Sequence, residues 1–296
     1  MDVYINFPCN DNIKEMAKKI LSNYNIHWFP DYYDADVQII KNQYVIGKNT
    51  KLIQTISAGV DGIDINGIPQ EIVVCSNAGA YSISVGEHVY ALLLSYAKNI
   101  IKNNEKMKDQ KFEQNPSLLL YGKTIGILGY GGIGKRVAKL ATCFGMNAIA
   151  YSRSGNDKNI SMLYHTPEPV ITKSDILVIA LPLTDKTRGM INKDFLSLLK
   201  KDIIIINVAR ADIAVKKDIL NYLNMHKNSY YLSDVWWDEP NITDTKLDNV
   251  ILTPHVAGGM SGEIMDIAYQ LAFQNVKKYV EGNENNIVKR DDYKKM

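Results

Sequence analysis

The sequence has no apolar run approaching the about 20 residues a helix needs to cross a bilayer, so no membrane-spanning helix is expected. Cysteine is scarce. Cys9, Cys75 and Cys143 are odd in number, far apart and without a CxxC pair. That argues against a disulfide framework or a metal set, and predicts small core residues in a reducing, cytoplasmic compartment. Neither sign of charge is in excess: 34 basic and 32 acidic residues leave +2, too even for a nucleic-acid or anionic-lipid surface. Met1-Asp2-Val3-Tyr4-Ile5 reads as a first strand rather than a signal peptide. What remains is a globular composition, 46% apolar and 22% charged over 296 residues, enough for one large domain or two ordinary ones.

The most informative stretch is Gly129-Tyr130-Gly131-Gly132-Ile133-Gly134. A short apolar run, Thr124 to Leu128, precedes it and reads as a buried strand. Val137, Ala138, Leu140, Ala141 and Phe144 follow at helical spacing, and Gly145 sits where a left-handed cap is expected. Strand, glycine turn and helix are the context a dinucleotide fingerprint requires. Gly129 allows the tight turn, Gly131 lets the backbone approach a pyrophosphate, and Gly134 lets helix and strand pack closely. The phosphates would rest on the open amides at the helix start.

In chain order, Val3–Phe7 reads as a strand, followed by a helix with Ile13, Met16, Ala17, Ile20 and Leu21 on one face. Apolar runs at Val37–Ile40, Tyr44–Ile46, Leu52–Ile56 and Ile72–Cys75 continue the alternation that implies a parallel α/β sheet. The loops Ser57–Asp61 and Asn77–Ala80 are small enough for a ligand to reach backbone amides, or are plain strand-to-helix turns. Ser84-Val85-Gly86-Glu87 has the form of a capping box opening a helix through Tyr96, with His88 ambiguous beside it. Lys98–Asn115 is polar, and reads as a solvated helix and connector or as an arm against a second subunit. After the fingerprint helix, Met146–Tyr151 reads as a strand ending in Ser152-Arg153-Ser154. The acid that holds the ribose 2′-hydroxyl of NAD belongs about 20 positions after the fingerprint. Here Ser152 occupies that place, with Arg153 beside it. Without a carboxylate nothing repels a 2′-phosphate, and a guanidinium can hold it through paired, charge-assisted hydrogen bonds. NADP(H) is favoured, with NAD(H) possible.

Further strands are expected at Ile176–Ala180, Ile203–Val208, Tyr230–Asp234 and Val250–Leu252, with helices including Lys193–Leu199 and Lys216–Met225. In an open α/β sheet, ligands sit beyond the carboxyl ends of the strands. Arg210, Glu239 and His255 follow three of these ends in succession, which together points to a site. A last helix carries Ile264, Ile267, Ala268, Leu271, Ala272, Val276 and Tyr279 on one face, reaches back to the first domain and ends near Gly282. The charged tail from Asn283 to Met296 is expected to fray.

Taken together, Gly129–Gly134 with Ala138, Leu181-Pro182-Leu183-Thr184 with Thr187 and Ile191-Asn192, Asn207–Arg210, Asp234–Pro240 and Leu252–His255 resemble the D-isomer-specific 2-hydroxyacid dehydrogenases nearly end to end. The resemblance implies an α/β protein of two Rossmann-like, doubly wound parallel-sheet domains with a cleft between them, and a homodimer. Residues 1–97 with 263–296 would form the substrate domain and 98–262 the dinucleotide-binding domain. It makes Arg210, Glu239 and His255 catalytic: His255 exchanges the proton, Glu239 orients the imidazole and stabilises its charged form, and Arg210 holds the carboxylate and polarises the carbonyl. It assigns Asp234 to the nicotinamide carboxamide, and Ala58 and Gly59 to the amides that receive the substrate carboxylate. Gly132 and Ile133 would meet the pyrophosphate; Leu181, Pro182, Thr187 and Val208 would line the cofactor.

Departures from the family pattern are Ala211 in place of the usual glycine, and Trp236-Trp237 in place of a phenylalanine and a smaller residue. The chain also ends without the extra C-terminal domain of some phosphoglycerate dehydrogenases, so serine feedback is not expected. The Ser-Arg pair resembles that of NADPH-dependent members. The expected activity is therefore NADP(H)-preferring reduction of glyoxylate or hydroxypyruvate to the D-2-hydroxy acid. NAD-dependent oxidation of glycerate, lactate or phosphoglycerate is one alternative. Another is a non-catalytic dinucleotide sensor like the family's corepressors, and a third is a methyltransferase using the same glycine turn. A small 2-oxo or 2-hydroxy acid is the expected partner, with neither nucleic acid nor membrane.

Overall fold

The computed structural model describes residues 1–153, 160–259, 262–283 and 285–294. The chain divides into two compact units, Met1–Tyr81 with Gly259–Met296 and Ser82–Gly258.

The first unit is a five-stranded parallel sheet in the order β2-β1-β3-β4-β5. Its strands are β1 (Asp2–Ile5), β2 (Asn25–Trp28), β3 (Val37–Ile40), β4 (Leu52–Thr55) and β5 (Val73–Cys75). Strands covered on both faces are mostly apolar; β3 and β4 are buried at every residue, with Gln38, Gln54 and Thr55 the polar members. Helix α1 (Asp11–Ile20) begins where Asn10 accepts the Ile13 amide. The last helix, α8 (Gly262–Val280), returns to this unit and buries Ala268, Ala272, Phe273 and Val276 against Val3, Ile5 and Ile39.

Two expectations fail here, and one strand was not foreseen. Tyr44–Ile46 is not a strand: the Val45 amide bonds the Gln38 side chain instead of a ladder, and Val45 and Ile46 are exposed. Strand β2 has too polar a sequence to announce itself. It exists because it pairs with β1, where His27 Nε2 meets Asp2 Oδ1 at 3.0 Å. The described part of the tail does not fray. Ile287 bridges Cys75, the Val288 amide donates to the Val74 carbonyl at 2.8 Å, and Arg290 donates to the carbonyls of Ile68, Pro69 and Ile72. A guanidinium holding three carbonyls is a charge-assisted clamp. Arg290→Ala should therefore cost about 2 kcal/mol, a fall in Tm of about 4 °C or more. An unchanged thermal transition would show that the tail is decoration.

The second unit is a seven-stranded parallel sheet in the order β12-β11-β10-β9-β6-β7-β8. Its strands are β6 (Thr124–Leu128), β7 (Asn147–Tyr151), β8 (Met162–Tyr164), β9 (Ile176–Ile179), β10 (Ile204–Asn207), β11 (Tyr230–Ser233) and β12 (Val250–Leu252). Its helices are α2 (Ser82–Ala97), α3 (Ile100–Lys108), α4 (Gly132–Cys143), α5 (Glu168–Lys173), α6 (Lys193–Ser197) and α7 (Lys216–Met225). Strand order reverses between β6 and β9, the position at which open α/β sheets bind ligands.

The boundary expected at residue 97 falls instead at Tyr81–Ser82, and α2 lies with the second unit. The reason is its pairing with α4. Tyr90 donates its hydroxyl to the Val137 carbonyl at 3.0 Å and stacks on Phe144 at 5.0 Å. The capping box is not formed either. Ser84 lies inside the helix and donates to the Ala257 carbonyl at 2.7 Å, while Glu87 pairs with Arg136 at 3.3 Å. Of the cysteines only Cys75 is a core residue. Cys9 is half-buried, its thiol pushed up to about 11 by burial, and Cys143 is exposed.

Candidate active site

The fingerprint glycines sit at the reversal point. Gly129 follows β6 at φ +100, and a Cβ there would lie 2.6 Å from the Ala180 carbonyl oxygen that follows β9. A Cβ at Gly134 would lie 2.2 Å from the Gly129 carbonyl oxygen, so α4 can approach β6 only with hydrogen at that position. At Gly131 the same atom would meet nothing within 4 Å. The first helical bond runs from the Lys135 amide to Gly131, which leaves the amides of Gly132, Ile133 and Gly134 without helical acceptors. Open space beside unpaired helix amides fits a pyrophosphate, so the residues present suit a dinucleotide.

At the end of β7, Ser152 is half-buried and Arg153 exposed. The Ser152 amide donates to the Tyr164 carbonyl, and its own carbonyl meets His165 Nδ1 at 3.0 Å. Ser154 lies outside the described residues. After β9, the Leu181–Thr184 turn is closed by Thr187, whose hydroxyl donates to the Pro182 carbonyl at 2.6 Å and accepts the Thr184 amide at 2.8 Å. Leu181 and Thr187 are half-buried, Pro182 is exposed, and Val208 is buried after β10. Ala58 and Gly59 belong to the first unit, where they follow β4 in a half-buried loop.

Ladder register aligns the remaining candidates. Asn207 pairs with Ser233 and Ser233 with Leu252, so Arg210 and His255 each lie three residues beyond matched strand ends. Asn207 shapes the first of these turns. Its side chain accepts the Ala209 amide at 3.0 Å and donates to the Arg210 carbonyl at 3.1 Å and to the Tyr231 hydroxyl at 2.9 Å. Burial pushes that phenol up to about 12, so it stays a neutral hydrogen-bonding group. Arg210 Nη1 donates to the Ala209 carbonyl at 2.9 Å. Ala211, the departure noted above, opens a single 3-10 turn and is buried without left-handed backbone.

Glu239 and His255 are brought into direct contact, Nδ1 to Oε2 at 2.8 Å. The other carboxylate oxygen accepts the Trp236 amide at 2.7 Å. Trp236 and Trp237 are buried and meet edge-to-face at 5.0 Å, and their indole nitrogens donate to the Thr243 and Ala214 carbonyls. The unusual pair thus forms a rigid floor under the Glu239 loop. Lys216 staples the same loop from α7, reaching Asp238 at 3.0 Å, Thr243 at 2.8 Å and Asp244 at 3.1 Å. That ammonium holds the Asp244 carboxyl below the usual carboxylate range.

Because a carboxylate only accepts, Nδ1 of His255 carries hydrogen, and Nε2 is the nitrogen left to exchange a proton. The residue itself sits at φ +54, left-handed backbone that costs a side chain about 1–2 kcal/mol. Asp234 offsets that cost. Its carbonyl accepts the His255 amide at 2.8 Å, and its carboxylate accepts the amides of Val256 at 2.9 Å and Ala257 at 2.7 Å. Sequence reading missed the structural work of Asn207 and Lys216, and that of Thr253, whose hydroxyl donates to Asp234 Oδ1 at 2.6 Å. Their residue types carry no signal until the partner strands are known.

Comparison with known proteins identifies the family. Residues 90–257 match the family described as D-isomer specific 2-hydroxyacid dehydrogenase, NAD binding domain. Over 247 residues the chain is 30% identical to a glyoxylate reductase of Pyrococcus furiosus, covering 78% of this chain and 73% of that one. A hydroxypyruvate reductase of Blautia hydrogenotrophica is 29% identical over 82% of this chain and 79% of its own. The crystal structure of a glycerate dehydrogenase related protein from Thermoplasma acidophilum is 58% identical, with a TM-score of 0.74, covering 95% of this chain and 100% of that one.

Proposed function

This chain belongs to the D-isomer-specific 2-hydroxyacid dehydrogenases, a family of nicotinamide-dependent oxidoreductases, and from that premise we propose that it reduces glyoxylate or hydroxypyruvate with a preference for NADPH. The observation that carries the reading is the His255–Glu239 contact at 2.8 Å, on a loop whose amides are gathered by one buried aspartate.

Reduction of a 2-oxo acid requires a hydride at the carbonyl carbon, which the reduced nicotinamide supplies when bound, and a proton at the oxygen. His255 gives that proton from Nε2, and Glu239 keeps the ring oriented and balances its positive charge. Arg210 grips the carboxylate and polarises the carbonyl, and Ala58 and Gly59 offer backbone amides to the same carboxylate. Gly129, Gly131, Gly132, Ile133 and Gly134 cradle the pyrophosphate, with Leu181, Pro182, Thr187 and Val208 lining the cofactor. Asp234 keeps its assignment to the carboxamide, since the amides it gathers do not exhaust its acceptor positions. A homodimer is the proposed assembly. Helix α3 buries none of its residues, and Ile100, Ile101, Met107, Phe112 and Leu119 form an exposed apolar series that a second copy would cover.

Ser152 and Arg153 in place of the ribose-binding acid support NADP(H). In a substrate panel followed by nicotinamide absorbance, kcat/KM should be higher with NADPH than with NADH. Arg153→Ala should erase about tenfold or more of the NADPH value and leave NADH nearly unchanged. A tenfold advantage for NADH in the unsubstituted protein, about 1.4 kcal/mol in barrier, would overturn the cofactor assignment.

A further inference from the structure

Helix α2 presents two side chains that the reaction as described does not use. Ser84 and His88 are four residues apart, hence one turn apart on the same face. Ser84 donates to the Ala257 carbonyl at 2.7 Å, and His88 Nε2 lies 2.8 Å from Thr253 Oγ1. The two contacts bracket the loop with His255 at its centre.

Proton counting gives the direction of the second contact. The Thr253 hydroxyl spends its one hydrogen on Asp234 Oδ1, at 2.6 Å, so towards His88 it can only accept. Nε2 of His88 is therefore the donor, and a directed chain runs from His88 through Thr253 into the Asp234 carboxylate. That carboxylate is almost wholly enclosed, its side chain 3% exposed, with His88 Nε2 a further 3.5 Å from Oδ1. Its two oxygens set where the Val256 and Ala257 amides lie, and its carbonyl sets the His255 amide. Three consecutive amides around a left-handed residue thus answer to one aspartate. Three residues after His255 the chain leaves this unit at Gly258, so the loop gains no support from a following helix of its own sheet.

We propose that His88 is a positioning residue for the reaction: by donating to Thr253 it orders the Asp234 carboxylate against the Val256 and Ala257 amides and thereby aims the His255 imidazole at the substrate oxygen. The inference rests on the reading of His255 as the proton donor. A helix brace with no such role would alter stability and leave the turnover of folded protein untouched.

The test uses the full chain. His88→Ala and Thr253→Val break the chain at successive links, His88→Gln keeps an N–H donor, and far-ultraviolet circular dichroism checks that each variant is folded. In glyoxylate reduction with NADPH, kcat should fall about 10- to 100-fold in the first two, as expected of a misaimed catalytic group, while KM for glyoxylate changes less than about threefold. His88→Gln should recover most of the loss. Added to His255→Gln, His88→Ala should cost nothing more, because the two act through one proton transfer. Hydrogen exchange at the Val256 and Ala257 amides, which needs no turnover, should quicken about tenfold in His88→Ala. A kcat within twofold of the parent, an additive loss over His255→Gln, or unchanged exchange overturns the proposal. If the parent protein reduces no 2-oxo acid, it is the proposed function that fails. Exchange then still decides whether His88 holds the loop.

Discussion

His255→Gln should lower kcat for 2-oxo acid reduction by about 10²- to 10⁴-fold, the range a positioned general acid contributes. Glutamine fills a similar space and its amide can still donate to Glu239, so the loop retains the contact now made at 2.8 Å. What it cannot do is release a proton. The affinity for the dinucleotide should be unchanged, because the bonds that tie this loop to Asp234 are made by backbone amides, which the substitution leaves in place. Turnover within fivefold of the parent, measured by nicotinamide absorbance, would remove His255 from the chemistry. Persistence of dinucleotide binding without turnover in the parent itself would instead favour a sensor.

Arg210→Gln should reduce kcat/KM by about 10²- to 10³-fold, the loss typical when one preorganised donor to a developing oxyanion is removed. The guanidinium offers a planar fork of donors that matches a carboxylate at two points, whereas an amide offers one weak donor pair and no charge. Arg210→Lys keeps the charge without the fork, so it should restore only part of the loss. Because the Arg210 carbonyl, not its side chain, is what Asn207 holds, the turn should survive either change. Equal kcat/KM in Arg210→Lys and the parent would mean that the residue acts as a diffuse charge rather than as a carboxylate clamp.

Most of the strands were legible because parallel strands covered on both faces are mostly apolar. Leu128, Ile179 and the Ile204–Ile206 run announced themselves in this way. The same logic misled at Tyr44–Ile46, where Val45 and Ile46 are exposed in a loop and only Tyr44 packs inward. Residues 162–164 and 168–173 gave no signal, being too short and too mixed to show a period, yet they form β8 and α5 through pairing with β7 and packing on the sheet. The tail looked disordered by charge, but Arg290 found three carbonyls that belong to a loop more than 200 residues earlier.

The alternation of strand and helix, the glycine turn and the polar residues that follow each strand are written in the order of amino acids alone. Those properties are local: they depend on side-chain volume, backbone freedom and periodicity within a dozen residues. Folding in three dimensions brings Glu239 onto His255, sets α2 with the dinucleotide unit, and lets Asp234 collect the amides around a left-handed histidine. These depend on hydrogen bonds between segments up to 173 residues apart, and no local pattern encodes which donor will meet which acceptor once the sheet has brought them together.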